Sequence, residues 1–365
     1  TALLTKVADG STLFRESFER DARELFSLED DIAGAVAQAF RLPPLSGENR
    51  DPMRTANLEA HDLVTRGNLL VEQFSDSALR EAVTLYERAA ALEPRYLPAW
   101  TGLVDAWRRL ADDFMPAREA VTAARPAEQR GWALDSTSSR AIALRAARLF
   151  LHARDLSQAE REFARALALD STNALAPLYA DLLLQLGKAD SAVAVLQRAA
   201  RIDPMSPVVA RYGPPLLAGV ARMEPLRAVC SRAVDVDSSA YTFDCLRMEL
   251  RVANQWREYQ ATCDSLDHAC QGVALHRLGR QDEARRRGAR LDSTLRARSG
   301  GRYLDPGLIA TWYAQMGDVE RTLAQLELAL SIDSRYVAHL RDPFFFSEVK
   351  GEPRFEAFVR KAGLR

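Results

Sequence analysis

The sequence predicts a mainly α chain: an α-α superhelix of roughly eight helical hairpins, preceded by a small β-hairpin and a helix. Three observations carry that expectation. A pattern of small and large apolar residues returns every 33 or 34 positions. A glycine stands about five residues ahead of several copies, and an acidic residue followed by Pro or Ser closes most of them.

At the N-terminus, residues 1–7 and 12–18 alternate in character around the turn dipeptide Asp9-Gly10, the signature of a β-hairpin. Residues 30–40 have the apolar spacing of an amphipathic helix, with Ser27 placed to cap it. Residues 43–56, opening Pro43-Pro44-Leu45-Ser46-Gly47 and reaching Asp51-Pro52, have the composition of a linker.

The repeat occupies residues 57–336. Its clearest copy is Ala192, Leu196, Ala199 and Pro204. The same spacing recurs at Ala82, Tyr86, Ala89, Pro94, at Ala159, Phe163, Ala166, Ser171, at Leu226, Cys230, Ala233, Ser238 and at Thr322, Leu326, Ala329, Ser334. Small residues suit the close crossings of a helix packed on both its partner and the next hairpin, and the large residue one turn on fills the gap between them. Leu186-Gly187, Leu278-Gly279 and Met316-Gly317 place glycine where a first helix closes in a left-handed cap. Proline or serine after the second helix stops it, and serine or aspartate caps the next. Weaker copies start at Ala124, Tyr259 and Ala284, with a long loop near Asp112 and a degenerate stretch over 241–278.

Residues 57–336 resemble the tetratricopeptide repeat family, although the Trp at that family's first consensus position survives only at Trp100. Within residues 1–42, the strings Asp9-Gly10-Ser11-Thr12-Leu13-Phe14 and Leu25-Phe26-Ser27-Leu28-Glu29-Asp30 resemble the end of a TolB-like α/β domain; a cap on the solenoid is the alternative. Residues 337–365, with Phe344-Phe345-Phe346 and Glu352-Pro353-Arg354-Phe355, read as a capping segment whose phenylalanines pack on the last hairpin. That closing pattern is similar to the C-terminal regions of bacterial receptor-type serine/threonine kinases and adenylate cyclases. A first residue of Thr rather than Met suggests a piece of a longer protein.

The resemblance implies that first-helix residues line a concave groove. The matching positions are Asn68, Asp105, Arg108, Arg109, Asp181, Leu184, Gln185, Thr311 and Gln315. The Lys and Asn pair with which some relatives clamp a peptide carboxylate is missing, because Val64 with Asn68, Thr101 with Asp105 and Pro177 with Asp181 stand there. By repeat phase Cys230 and Cys263 fall at the large position of second helices, and Cys245 and Cys270 on the first helices that follow. Two disulfides, Cys230–Cys245 and Cys263–Cys270, and four buried thiols are both compatible with this placement. Disulfides would put the domain in an extracytoplasmic, oxidising compartment; thiols would leave it cytoplasmic.

Composition narrows the function classes. With 47% hydrophobic and 27% charged residues the chain is globular, and a formal net charge of −1 supplies no field for nucleic acid or an anionic membrane. Basic character comes from Arg, with Lys only at Lys6, Lys188, Lys350 and Lys361, a bias expected of a GC-rich bacterial genome. The arginines around Arg285-Arg286-Arg287 are diluted by Asp282, Glu283 and Asp292 and read as a solvated face. The sequence has no nucleophile elbow, metalloprotease helix, phosphate loop, kinase signature or Cys-x-x-Cys. No catalytic residue, metal or cofactor is expected, and no membrane insertion. The expectation is a non-catalytic module that binds a protein or peptide, a sensor or scaffold part of a bacterial signalling protein. A self-association module or a small-molecule sensor domain are the alternatives.

Overall fold

Apolar periodicity becomes architecture through hairpins that none could bury alone. The structure is a computed structural model. It describes residues 2–5, 11–17, 31–32, 34–36, 38, 53–55, 57–111, 113–172, 174–204, 206–236, 240–299 and 303–364. Eight helical hairpins follow one another among these residues: α1 (Leu58–Glu72) with α2 (Asp76–Leu92), α3 (Leu97–Leu110) with α4 (Ala117–Leu134), α5 (Ser139–Arg148) with α6 (Leu156–Leu169), and α7 (Ala176–Gln185) with α8 (Ala189–Ile202). Then come α9 (Pro207–Gly219) with α10 (Met223–Val236), α11 (Ala240–Val252) with α12 (Trp256–Ala261), α13 (His268–Arg277) with α14 (Gln281–Ser299), and α15 (Pro306–Gln315) with α16 (Val319–Ser331). A 3₁₀ turn (Arg335–His339) and α17 (Pro353–Lys361) end the chain.

Each hairpin packs on the next because the repeat residues are its inner surface. Ala82, Tyr86, Ala89, Ala159, Phe163, Ala166, Leu196, Leu326 and Ala329 are all buried. Where Thr322 replaces alanine, its hydroxyl donates to the Asp318 carbonyl at 2.7 Å, so the buried oxygen is satisfied. The side chains of Asn57, Ser75, Ser138, Asp155, Ser206, Asp267 and Asp318 accept from the backbone of the first turn and start seven of the helices.

In seven of the eight hairpins the turn holds a left-handed residue, whether or not it is glycine. Gly187, Gly279 and Gly317 have φ of 73°, 75° and 70°. Phe74, Arg154, Ala221 and Asn254 take the same conformation in other hairpins, with φ of 46°, 56°, 53° and 56°. Before Arg154, residues Leu149–Ala153 widen into one π-helical turn.

At the N-terminus β1 (Ala2–Thr5) pairs antiparallel with β2 (Thr12–Glu16), as alternation about Asp9-Gly10 predicts. The described residues between 31 and 38 are helical. Most of the residues behind the TolB-like resemblance, Ser27 included, and most of the linker lie outside the described residues.

The C-terminal segment departs from the expected cap. Phe346 and Phe355 stack at 5.6 Å in the core of the last hairpin. Phe344 instead joins the core formed by α7 to α11, against Gly219. The correction has a physical cause: residues 333–349 leave the last hairpin and run back along the inner side of the first helices.

Candidate protein-binding surface

The first hairpins build a charged floor. Tyr86 of α2 reaches between α1 and α3, where a Cβ on Gly67 or Gly102 would come within 2.7 or 2.4 Å of its ring. Its hydroxyl donates to Asn68 Oδ1 at 2.8 Å, which fixes that amide on the exposed face of α1. One turn along, Asp105 of α3 is buried. Its Oδ1 accepts from Arg108 Nη2 at 2.7 Å and Nε at 2.9 Å, and its Oδ2 from Arg109 Nε at 3.3 Å. Arg140 Nη2 stands 3.7 Å away.

Burial would raise the Asp105 carboxyl, but the three guanidiniums outweigh it and hold the group well below the usual carboxylate range. Arg109 extends the network to Glu72 at 3.1 Å and to the Val71 carbonyl at 3.4 Å. Three guanidiniums thus face two carboxylates, a surplus of one positive charge. From across the superhelix, Tyr212 of α9 sits within electrostatic range of Arg109, and the Arg211 guanidinium lies 3.9 Å over the Phe74 ring.

Farther along, the expected groove is occupied. Asp333 accepts from His152 Nδ1 through its carbonyl at 3.2 Å, taking the tautomer that carries the proton there, and Arg335 pairs with Asp113 at 2.9 Å. His339 meets Phe150 edge-on at 5.5 Å, and its Nδ1 lies 3.3 Å from Asp181 Oδ2, out of line for a hydrogen bond. The Phe344 carbonyl accepts from Arg251 Nη2 at 2.7 Å, and Glu348 pairs with Arg277 at 2.7 Å and with His276 at 3.2 Å. From residue 333 to 348 the segment therefore advances from the second hairpin to the seventh, as a ligand laid in a groove would. Within this stretch burial pushes both Asp181 and Asp342 carboxyls up, and lowers the His339 imidazole to about 4.

The nine expected groove positions divide accordingly. Asn68, Asp105, Arg108 and Arg109 come together on the first hairpins, Asn68 exposed and the two arginines partly exposed over the buried Asp105. Leu184, Gln185, Thr311 and Gln315 are buried, and Asp181 lies beside His339 with its side chain 13% exposed, so the expectation of an open groove is corrected at these five. Gln185 donates to Asp181 at 3.2 Å, Gln315 accepts from Arg251 at 2.6 Å, and Thr311 donates to the Leu308 carbonyl at 2.8 Å. Sequence reasoning missed Glu72, Arg140, Phe74 and Tyr212. Arg140 carried a readable signal, a position on the first helix after Asp105, whereas Tyr212 joins only through curvature.

The four cysteines form two disulfides, Cys230–Cys245 and Cys263–Cys270, each with Cα atoms 5.6 Å apart. The first links α10 to α11. Cys263 is corrected from its expected place on a second helix: α12 ends at Ala261, and Thr262 turns back with its hydroxyl donating to the Tyr259 carbonyl at 2.7 Å. The bond to Cys270, seven residues on, leaves no room for a longer helix.

The fold is a tetratricopeptide-type helical solenoid. A tetratricopeptide repeat family model matches residues 150–211, from the π turn into α9. Over 103 residues the chain is 25% identical to "Putative adenylate cyclase 3" of Rhizobium meliloti (strain 1021), which covers 27% of this chain and 18% of that protein. A crystal structure of a tetratricopeptide repeat protein from Parabacteroides merdae ATCC 43184 aligns with 84% of this chain and 99% of its own, at 11% identity and a TM-score of 0.36. No helix among the described residues is long and apolar enough to cross a membrane, and no group of three or more His, Cys, Asp or Glu among them is placed to hold a metal ion.

Proposed function

We propose that this chain is a non-catalytic protein-binding module that docks an acidic peptide segment on the first three hairpins, beside Asn68, Arg108, Arg109 and Arg140. The carrying observation is the division of the inner face. Residues 333–349 cover its later part, while the open part gathers three guanidiniums around one buried carboxylate. Arg108 and Arg109 are preorganised by Asp105, so little side-chain entropy is lost when a partner carboxylate arrives. The similarity to a protein named as an adenylate cyclase supports a sensor or scaffold role within a larger bacterial signalling protein. Two disulfides support an oxidising, extracytoplasmic setting.

The test is fluorescence anisotropy with labelled decapeptides, one rich in Glu and Asp and one rich in Lys. The acidic peptide should bind, and added salt should weaken it. Arg140→Gln with Arg211→Gln should cost about tenfold, as expected for a lost charge-assisted contact. Equal binding of both peptides, or no effect of the double substitution, would refute the reading.

A further inference from the structure

A second concavity lies away from the charged floor. It is a cleft of about 460 Å³ between the turn joining α7 to α8 and the C-terminal cap. Sites for small molecules commonly span about 300–1,000 Å³. The walls are apolar, with Leu184, Leu340, Phe346, Phe355 and Val359 buried around it.

The rim carries two basic side chains. Arg341 and Lys350 line the cleft, are exposed, and pair with no other described side chain. Lys188 and Lys361, by contrast, are each matched with a glutamate at 2.6 Å. Glu356 also lines the cleft but already accepts from the Gly351 backbone at 3.1 Å. Asp342, at the inner end, accepts from the Phe344 and Phe345 backbone at 2.6 and 3.1 Å. Burial raises its carboxyl above the ordinary range, and its oxygen is already taken by those two backbone N–H groups. Two exposed, unpaired cations beside two carboxylates that already accept from backbone N–H groups favour a singly charged anionic head.

We infer that this cleft binds a small amphipathic carboxylic acid, its apolar chain against Phe346, Phe355 and Val359 and its carboxylate between Arg341 and Lys350. The inference is independent of the peptide surface, because no residue is shared.

Titration calorimetry of the full chain tests it, with decanoate below its micelle concentration and decanol below its solubility limit. Decanoate should bind saturably at one site, and decanol about tenfold more weakly for want of the charge-assisted contact. Arg341→Gln with Lys350→Gln, both on the exposed rim, should reduce decanoate to the level of decanol and leave decanol unchanged. Ala189→Phe, which puts a ring into the cleft from the start of α8, should abolish both. Absence of saturable decanoate binding, or binding that survives both changes, would overturn the proposal. So would a Leu-terminated tripeptide that binds more tightly than decanoate only while its carboxylate is free, which would reassign the cleft to a peptide end.

Discussion

His339 of the C-terminal segment stands 3.3 Å from Asp181 on α7, so a residue outside the hairpins completes the polar interior of the fourth one. Asp342 lies on the same segment, and Arg335 contributes a guanidinium field. Ring, carboxyls and guanidinium together decide how firmly the segment is held as pH changes.

The Asp181 carboxyl is pushed up to about 7 by burial, from an ordinary 3.8. Between those values the folded chain binds more protons at this group than the unfolded chain does, so its contribution to stability falls as pH rises from about 4 to about 7. His339, lowered to about 4, works in the opposite direction between about 4 and 6.5. Asp181→Asn removes the first effect and, by taking away the Asp181 charge, also lets the Asp342 carboxyl fall back, a change in the same direction. Urea denaturation should show the variant gaining stability relative to the parent between pH 5 and pH 8, by about 1 kcal/mol or more. A pH-independent difference would contradict the assignment.

Gly102 and Gly288 make a paired test of packing. A Cβ at 102 would meet the buried Tyr86 ring at 2.4 Å, whereas at 288 the nearest atom is the Tyr313 ring at 3.7 Å. Gly102→Ala should destabilise by about 1–3 kcal/mol despite better helix propensity. Gly288→Ala should stabilise by up to about 1 kcal/mol. Thermal melts of the two proteins should move in opposite directions.

Ala221 is exposed and holds φ of 53° in the left-handed turn after α9. An L side chain costs about 1–2 kcal/mol there, and part of that returns on substitution because glycine adds unfolded-state entropy. Ala221→Gly should raise stability by about 0.5–1 kcal/mol, while Gly317→Ala should lower it, since its Cβ would also come within 2.6 Å of the His276 ring. Chemical denaturation midpoints report both.

Reduction should weaken the middle of the array. The Cys230–Cys245 link spans 15 residues, for which loop-closure entropy amounts to about 3 kcal/mol. A reductant should lower the melting temperature, and exchange of backbone amides should accelerate first in α10 to α13. A melt unchanged by reduction would mean that these bonds do not constrain the unfolded chain.

Much of this solenoid is readable from local pattern. Ala82, Tyr86 and Ala89, or Thr322, Leu326 and Ala329, announce buried faces through spacing alone, and Gly187, Gly279 and Gly317 announce their turns. Phe74, Arg154 and Ala221 do not, because hairpin packing imposes the left-handed conformation against their preference, whereas Asn254 is of a type that tolerates it. The placement of Asn68, Asp105, Arg108 and Arg109 follows from first-helix phase. The filling of the groove beside Leu184, Gln185 and Gln315 does not. It depends on contacts such as Arg335 with Asp113, 222 residues apart, and no periodicity encodes them.

Hydrogen exchange of the full chain with and without the acidic decapeptide locates the bound peptide. Added protection is expected on α1 and α3, around Asn68 and Asp105 to Arg109, with residues 333–349 as protected as before. Loss of protection in 333–349, together with new protection on α7 to α15, would show instead that the peptide displaces the segment, and would rule out docking on the first hairpins.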